Sequence, residues 1–136
     1  MDNIEILNGP SFCLNDKPKK LIFLFHGYGD NADNFIHIAR SLNHKDIHAN
    51  YFALNAPNLI SNHTIGREWF NLYPNNIYIS EAGPEEIKII SSEISDSIKK
   101  ILNTINFIKE KYKLKFSDCF AIGFSQGGMI TFELGN

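Results

Sequence analysis

The chain has 136 residues, 43% of them hydrophobic and 21% charged, and its formal net charge is -2 at pH 7. That length is enough for one packed domain, and the slight negative charge argues against a nucleic-acid or anionic-membrane partner. Two cysteines, Cys13 and Cys119, stand far apart in no metal or redox spacing and read as reduced thiols of a cytosolic protein.

The start, MDNIEILNGP, carries an acidic residue and no long apolar core, so no signal peptide is expected. The most apolar run, LIFLF at residues 21–25, is far too short to span a bilayer. A cytoplasmic protein with no integral membrane segment is the expectation. With no internal repeat and no low-complexity linker, residues 1–136 read as a single domain.

NIEIL and SFCL are short strand candidates, and Gly9-Pro10 between them suggests a hairpin at one edge. LIFLF shows no alternation, as expected of a parallel strand covered on both faces. Next, Phe35, Ile38, Ala39 and Leu42 recur at helical spacing behind Asp33 as N-cap. NYFALNAP reads as another buried strand ending at a proline, and residues 58–80 as an aromatic loop. From Pro84 a long helix is predicted: Ile87, Ile90, Ile94, Ile98, Ile101, Ile105, Ile108 and Tyr112 form one stripe, which is core packing. Pro84 suits the first helical turn, and Glu85 and Glu86 suit the positive end of the dipole. SDCFAIGF supplies a last strand and QGGMITFEL begins a helix. Strand, helix, strand, helix, strand, helix is an α/β order, with functional loops at the carboxyl ends of the strands.

At that end of the last strand lies AIGFSQGGM, in which Ser125 sits in the pattern Gly-x-Ser-x-Gly. The bare pattern arises by chance in roughly 5% of chains this long. A buried strand before it and a helix after it sharpen the signal, because a serine on such a bend presents its hydroxyl above the sheet. The N–H of Gln126, at the helix N-terminus, then favours a developing oxyanion. A second donor is available in HGYG, from the main chain of Tyr28, with Gly27 and Gly29 letting the loop bend inward.

Taken together, LFHGYGDNADNF, APN, GREWFN and GFSQGGM resemble the first half of the phospholipase/carboxylesterase family of α/β-hydrolases, which includes acyl-protein thioesterases. The resemblance implies an α/β-hydrolase fold, a mostly parallel sheet with helices on both faces, truncated after the nucleophile elbow. It implies Ser125 as nucleophile and the Tyr28 and Gln126 amides as oxyanion hole. His26, Trp69 and Phe70 would lie near the substrate or under the floor of the site. The implied substrate is a small-molecule carboxylic ester, acyl thioester or lysophospholipid, with no cofactor and no metal. Tyr28 stands where the family usually has leucine and Asn71 where aspartate is frequent, and neither change touches a main-chain donor.

One departure does bear on chemistry. The family presents its triad in the order serine, acid, histidine, and only eleven residues follow Ser125. His26 is expected to hydrogen-bond structurally in its loop. His37 lies within the first helix, and His44, His48 and His63 lie in loops or helix ends without a marked carboxylate partner. His44 and His48 have a metal pair's spacing but no third ligand. Asp118 belongs to the opposite end of its strand. A serine without a base is a poor nucleophile. Two readings follow: an ester hydrolase whose acid and histidine lie elsewhere, or an inactive remnant or assembly module. In both, the exposed sheet edge invites self-association or a C-terminal partner segment.

Overall fold

The computed structural model describes residues 4–61 and 65–135, so His63 lies outside the described residues. In chain order the elements are β1 (Ser11–Phe12), β2 (Lys20–Phe25), α1 (Ala32–Phe35), α2 (Ile38–Leu42) and β3 (Ala49–Leu54). They continue with β4 (Asn58–Leu59), β5 (Arg67–Glu68), α3 (Pro84–Lys111), β6 (Cys119–Gly123) and α4 (Gln126–Leu134). The main sheet has the order β1-β3-β2-β6; β2 runs parallel to both neighbours and β1 pairs antiparallel with β3.

The unbroken apolar run of β2 is explained by its central place. Leu21, Phe23 and Phe25 point to one face, where Ile101 and Ile105 of α3 and Ile130 of α4 meet them. Ile22 and Leu24 point to the other, against Ala32 of α1 and Ala39 of α2. A strand buried on both sides has no polar face to alternate with. Each fully buried Phe or Leu contributes about 1.5–3 kcal/mol.

Four expectations change. The described part of NIEIL, residues 4–7, forms no hairpin strand: Leu7 N donates to Thr104 Oγ1 of α3 at 2.8 Å, and Asn8 O accepts from Asn55 N at 2.8 Å. The segment's hydrogen bonds therefore go to a helix side chain and to the end of β3, and only Ser11 and Phe12 join the sheet. The helix expected from Asp33 is two short helices, and the cap is Asn31, whose Oδ1 accepts from Asn34 N at 2.9 Å. Bonds that reach back only three residues, His37 N to Asn34 O and Ala39 N to Ile36 O, tighten the chain between them. Residues 58–80 contain the β4–β5 ladder and two 3-10 turns, Pro74–Asn76 and Ile79–Glu81. The stripe of α3 packs from Ile90 onward, whereas Ile87 is 54% exposed.

Candidate active site

The site is built at the carboxyl ends of β2 and β6. After Gly123 the chain turns at Ser125, with φ 56° and ψ -118°, and enters α4 at once. A non-glycine residue at positive φ costs on the order of 1–3 kcal/mol and persists only where its surroundings hold it. Two glycines do the holding. A Cβ on Gly127 would fall on the carbonyl oxygen of Phe25, and one on Gly123 would fall on the Gly127 carbonyl. Bare backbone is thus what lets the first turn of α4 seat against the end of β2. Phe124 N donates to Phe25 O at 3.1 Å, and Gly127 N to Phe124 O at 2.9 Å, closing the bend.

The HGYG loop leaves β2 beside this bend. A Cβ placed on Gly27 would stand 3.4 Å from that of Ser125, so the two segments touch. Gly29, at φ 83°, donates to Arg67 O at 2.9 Å, and Asp30 O accepts from Arg67 N at 3.0 Å. β5 therefore pins the loop from outside, and Arg67 Nη1 also donates to Ala56 O at 2.9 Å. Among the described residues neither the Tyr28 nor the Gln126 main-chain N–H has an acceptor. Both lie in the two segments that flank Ser125.

Beneath lies a buried layer. His26 has no exposed surface; its Nδ1 donates to Gly27 O at 2.8 Å and its Nε2 accepts from Ala56 N at 3.0 Å. Burial holds its pKa below the ordinary histidine value, with the Gly27 bond opposing. Trp69 packs against that ring at 5.2 Å between centroids and donates Nε1–H to His26 O at 2.8 Å. Gln126, only 2% exposed, accepts from Trp69 N through Oε1 and donates to Phe70 O through Nε2, both at 2.8 Å. Ser97 of α3 donates to Trp69 O.

A cleft of about 440 Å³ opens beside Ser125, walled by Phe70, Ile94, Met129, Ile130 and Phe132, with Glu133 as the one charged residue among the described residues that line it. Of the three residues expected near the substrate or under the floor, Phe70 lines this cleft, while His26 and Trp69 are fully buried and do not line it. Sequence reasoning passed over Ser97, Arg67 and the side chain of Gln126. Ser97 could have been noticed as a small polar residue on the α3 stripe, three after Ile94 and four before Ile101. Nothing in the sequence signals the partners of Arg67 or Gln126, because both bond to main chain far away.

No side chain hydrogen-bonds the Ser125 hydroxyl among the described residues. His26 has both nitrogens engaged. His44 does have a carboxylate neighbour, Asp46 at 3.6 Å, which corrects the expectation of none. That pair is exposed and lies before β3, at the far end of the parallel sheet from Ser125. Asp118 Oδ2 accepts from Lys115 N at 2.9 Å, ahead of β6 at that same far end. Glu68 is half-buried, and burial followed by the nearby Glu93 raises its pKa. Among the described residues no three His, Cys, Asp or Glu are grouped to hold a metal ion, and no helix is long and apolar enough to cross a membrane.

The phospholipase/carboxylesterase family model matches residues 12–136. Among solved structures the fold is similar to esterase PE8 (TM-score 0.77, 22% identity), with 96% of this chain and 57% of that one covered. It is also similar to YahD with malic acid (TM-score 0.69, 13% identity; 95% and 56% covered). A third likeness is to a phospholipase/carboxylesterase from Dyadobacter fermentans (TM-score 0.58, 14% identity; 98% and 56% covered). The chain therefore spans little more than half the length of these structures.

Proposed function

Because this chain belongs to the phospholipase/carboxylesterase family, we propose that it forms the nucleophile-bearing part of a serine hydrolase of carboxylic esters, with Ser125 as nucleophile. The observation that carries the reading is the backbone of Ser125, a strained bend at the head of α4 beside the HGYG loop. Ser125 Oγ attacks the acyl carbonyl, and its proton passes to a base. The N–H groups of Tyr28 and Gln126 donate to the developing oxyanion, and collapse of the intermediate expels the alcohol or thiol, which takes up the proton held by the base. Water, giving a proton to the same base, then attacks the acyl-enzyme carbonyl, and collapse of this second intermediate releases the acid as Ser125 Oγ leaves and takes the proton back. The apolar cleft lined by Phe70 and Ile94 suits the acyl portion of a small ester, an acyl thioester or a lysophospholipid. The reaction as drawn uses no metal or cofactor.

The base and its acid partner are supplied by residues other than the 136 of this chain, in a C-terminal segment that extends the sheet past β6. In a well-studied serine protease, loss of the histidine lowers turnover about 10⁶-fold. These residues alone are therefore expected to hydrolyse p-nitrophenyl esters at a trace rate, with any covalent labelling by a fluorophosphonate confined to Ser125 and abolished by Ser125→Ala. Rapid multiple turnover by this chain alone, or labelling that survives Ser125→Ala, would overturn the reading.

A second reading rests on the exposed Phe120 and Ile122 of β6: the chain is an inactive assembly module that pairs through this edge. Co-expression with a segment supplying the histidine separates the two, since only a hydrolase regains ester turnover.

A further inference from the structure

Gln126 follows the proposed nucleophile, and its side chain is buried where a first-turn helix residue ordinarily meets solvent. A buried amide is tolerated only when both of its ends are paired. Here Oε1 takes the N–H of Trp69 and Nε2 gives to the carbonyl of Phe70, each at 2.8 Å, as a neighbouring β-strand would. The side chain cannot rotate without orphaning two buried main-chain groups. Trp69, so held, reaches through Nε1 to the carbonyl of His26, which immediately precedes Gly27 and Tyr28. Ser97 fixes the third side of Trp69 from α3.

We propose that the side chain of Gln126 is a positioning residue: through Trp69 it joins the two oxyanion donors, its own N–H and that of Tyr28, into one preorganised unit. This rests on the reading of Ser125 as nucleophile. Oxyanion stabilisation is strong only when the donors are in place before charge develops. A donor displaced by about 1 Å loses on the order of 10²-fold in rate. The line Gln126–Trp69–His26 binds the start of α4 to the start of the HGYG loop, two segments 98 residues apart at Tyr28 and Gln126. Neither can drift from Ser125 without the other.

The test uses the whole chain and an alkyl fluorophosphonate, with imidazole added as external base. The Ser125 Oγ–P bond forms, the P–F bond breaks, fluoride leaves, and the serine proton goes to imidazole. The limiting rate of phosphonylation and the half-saturating probe concentration are read by intact mass. Gln126→Met, matched in length but unable to make either bond, is expected to lower the limiting rate about 10- to 100-fold. Half-saturation stays within about twofold, since the donors act on the charged transition state. Gln126→Glu, which keeps the acceptor for Trp69 N and loses the donor to Phe70 O, falls in between. Trp69→Phe also slows labelling, and the double variant loses less than the product of the singles because both act through one line of bonds. Circular dichroism checks that each variant folds; should Gln126→Met fail, Gln126→Glu and Trp69→Phe form the cycle. Wild-type limiting rates in the Gln126 variants, effects that multiply, or losses confined to half-saturation overturn the inference alone. A wild-type Ser125 labelled no faster than the chain's other serines overturns the reading of Ser125, and the inference with it.

Discussion

Ser125 takes its conformation from neighbours that have no side chains to obstruct it, so the sharpest residue-scale prediction concerns Gly127. Gly127→Ala would drive a methyl group into the carbonyls of Phe25 and His26, backbone that cannot swing aside. It is expected to cost on the order of 3 kcal/mol or more, read by urea unfolding. Gly128→Ala meets nothing closer than 3.5 Å and should fold normally. His26 sets a pH dependence. Its folded pKa lies below the ordinary 6.5, so as pH falls through 6.5 the unfolded chain binds a proton that the folded chain refuses. Stability is therefore full above that value, declines below it by up to about 1.4 kcal/mol per pH unit, and stops declining once the folded imidazole protonates too. His26→Gln should flatten that portion of the curve between pH 7 and 5, and an unchanged slope would remove the assignment. Tyr51 is the mirror case: its buried hydroxyl has no partner among the described residues. Tyr51→Phe removes an unsatisfied group and should leave stability unchanged or raise it by about 1 kcal/mol. The glycines and the serine were legible from spacing alone, and the resemblance left His26 and Trp69 either near the substrate or under the floor; the bonds that hold them and Gln126 in a buried layer were not legible, since each joins main chain remote in sequence.

At the scale of elements, α3 tests how far periodicity can be trusted. Leaving aside Ile89, its isoleucines from Ile87 to Ile108 step by three and four, and the helix forms over Pro84–Lys111 as that spacing predicts. Periodicity names a face but not where its covering ends. Ile101 is fully buried while Ile87 is 54% exposed, although both lie on the same stripe. Ile101→Ala should cost about 2–5 kcal/mol and Ile87→Ala no more than about 0.5 kcal/mol, and equal losses in chemical denaturation would contradict the packing. The start of α3 is held by Glu86, whose Oε1 accepts from Gly83 N and whose Oε2 accepts from Asn75 Nδ2. Two boundaries moved for different reasons: the hairpin segment gives its bonds to distant partners such as Thr104, and the first helix splits where local bonds reach back only three residues. Local pattern carries no information about such competition.

Across the whole molecule, β6 is the outer strand of the sheet, with Phe120 48% and Ile122 36% exposed. Unpaired strand edges with apolar side chains recruit further strands. Ile122→Lys is expected to reduce any self-association through this edge in sedimentation velocity without loss of the fold. The same variant should weaken any C-terminal segment that extends the sheet, so restored ester turnover in co-expression should fall with it. The fold and the family agree with what the ordered motifs implied, and the solved structures of similar fold are covered over only about 57% and 56% of their lengths.

From the sequence alone came the α/β order, the two buried parallel strands, the long helix and the serine bend. All four are local: a run of apolar residues, a period, or glycines at fixed offsets declare them without reference to the rest of the chain. Only the tertiary structure decided that His26 has both ring nitrogens engaged, that Trp69 is buried and does not line the cleft, and that Gln126 spans from α4 to the segment after β5. Those facts depend on which main-chain groups come within about 3 Å of these side chains across separations of up to 57 residues, and no stretch of neighbouring letters encodes that distance.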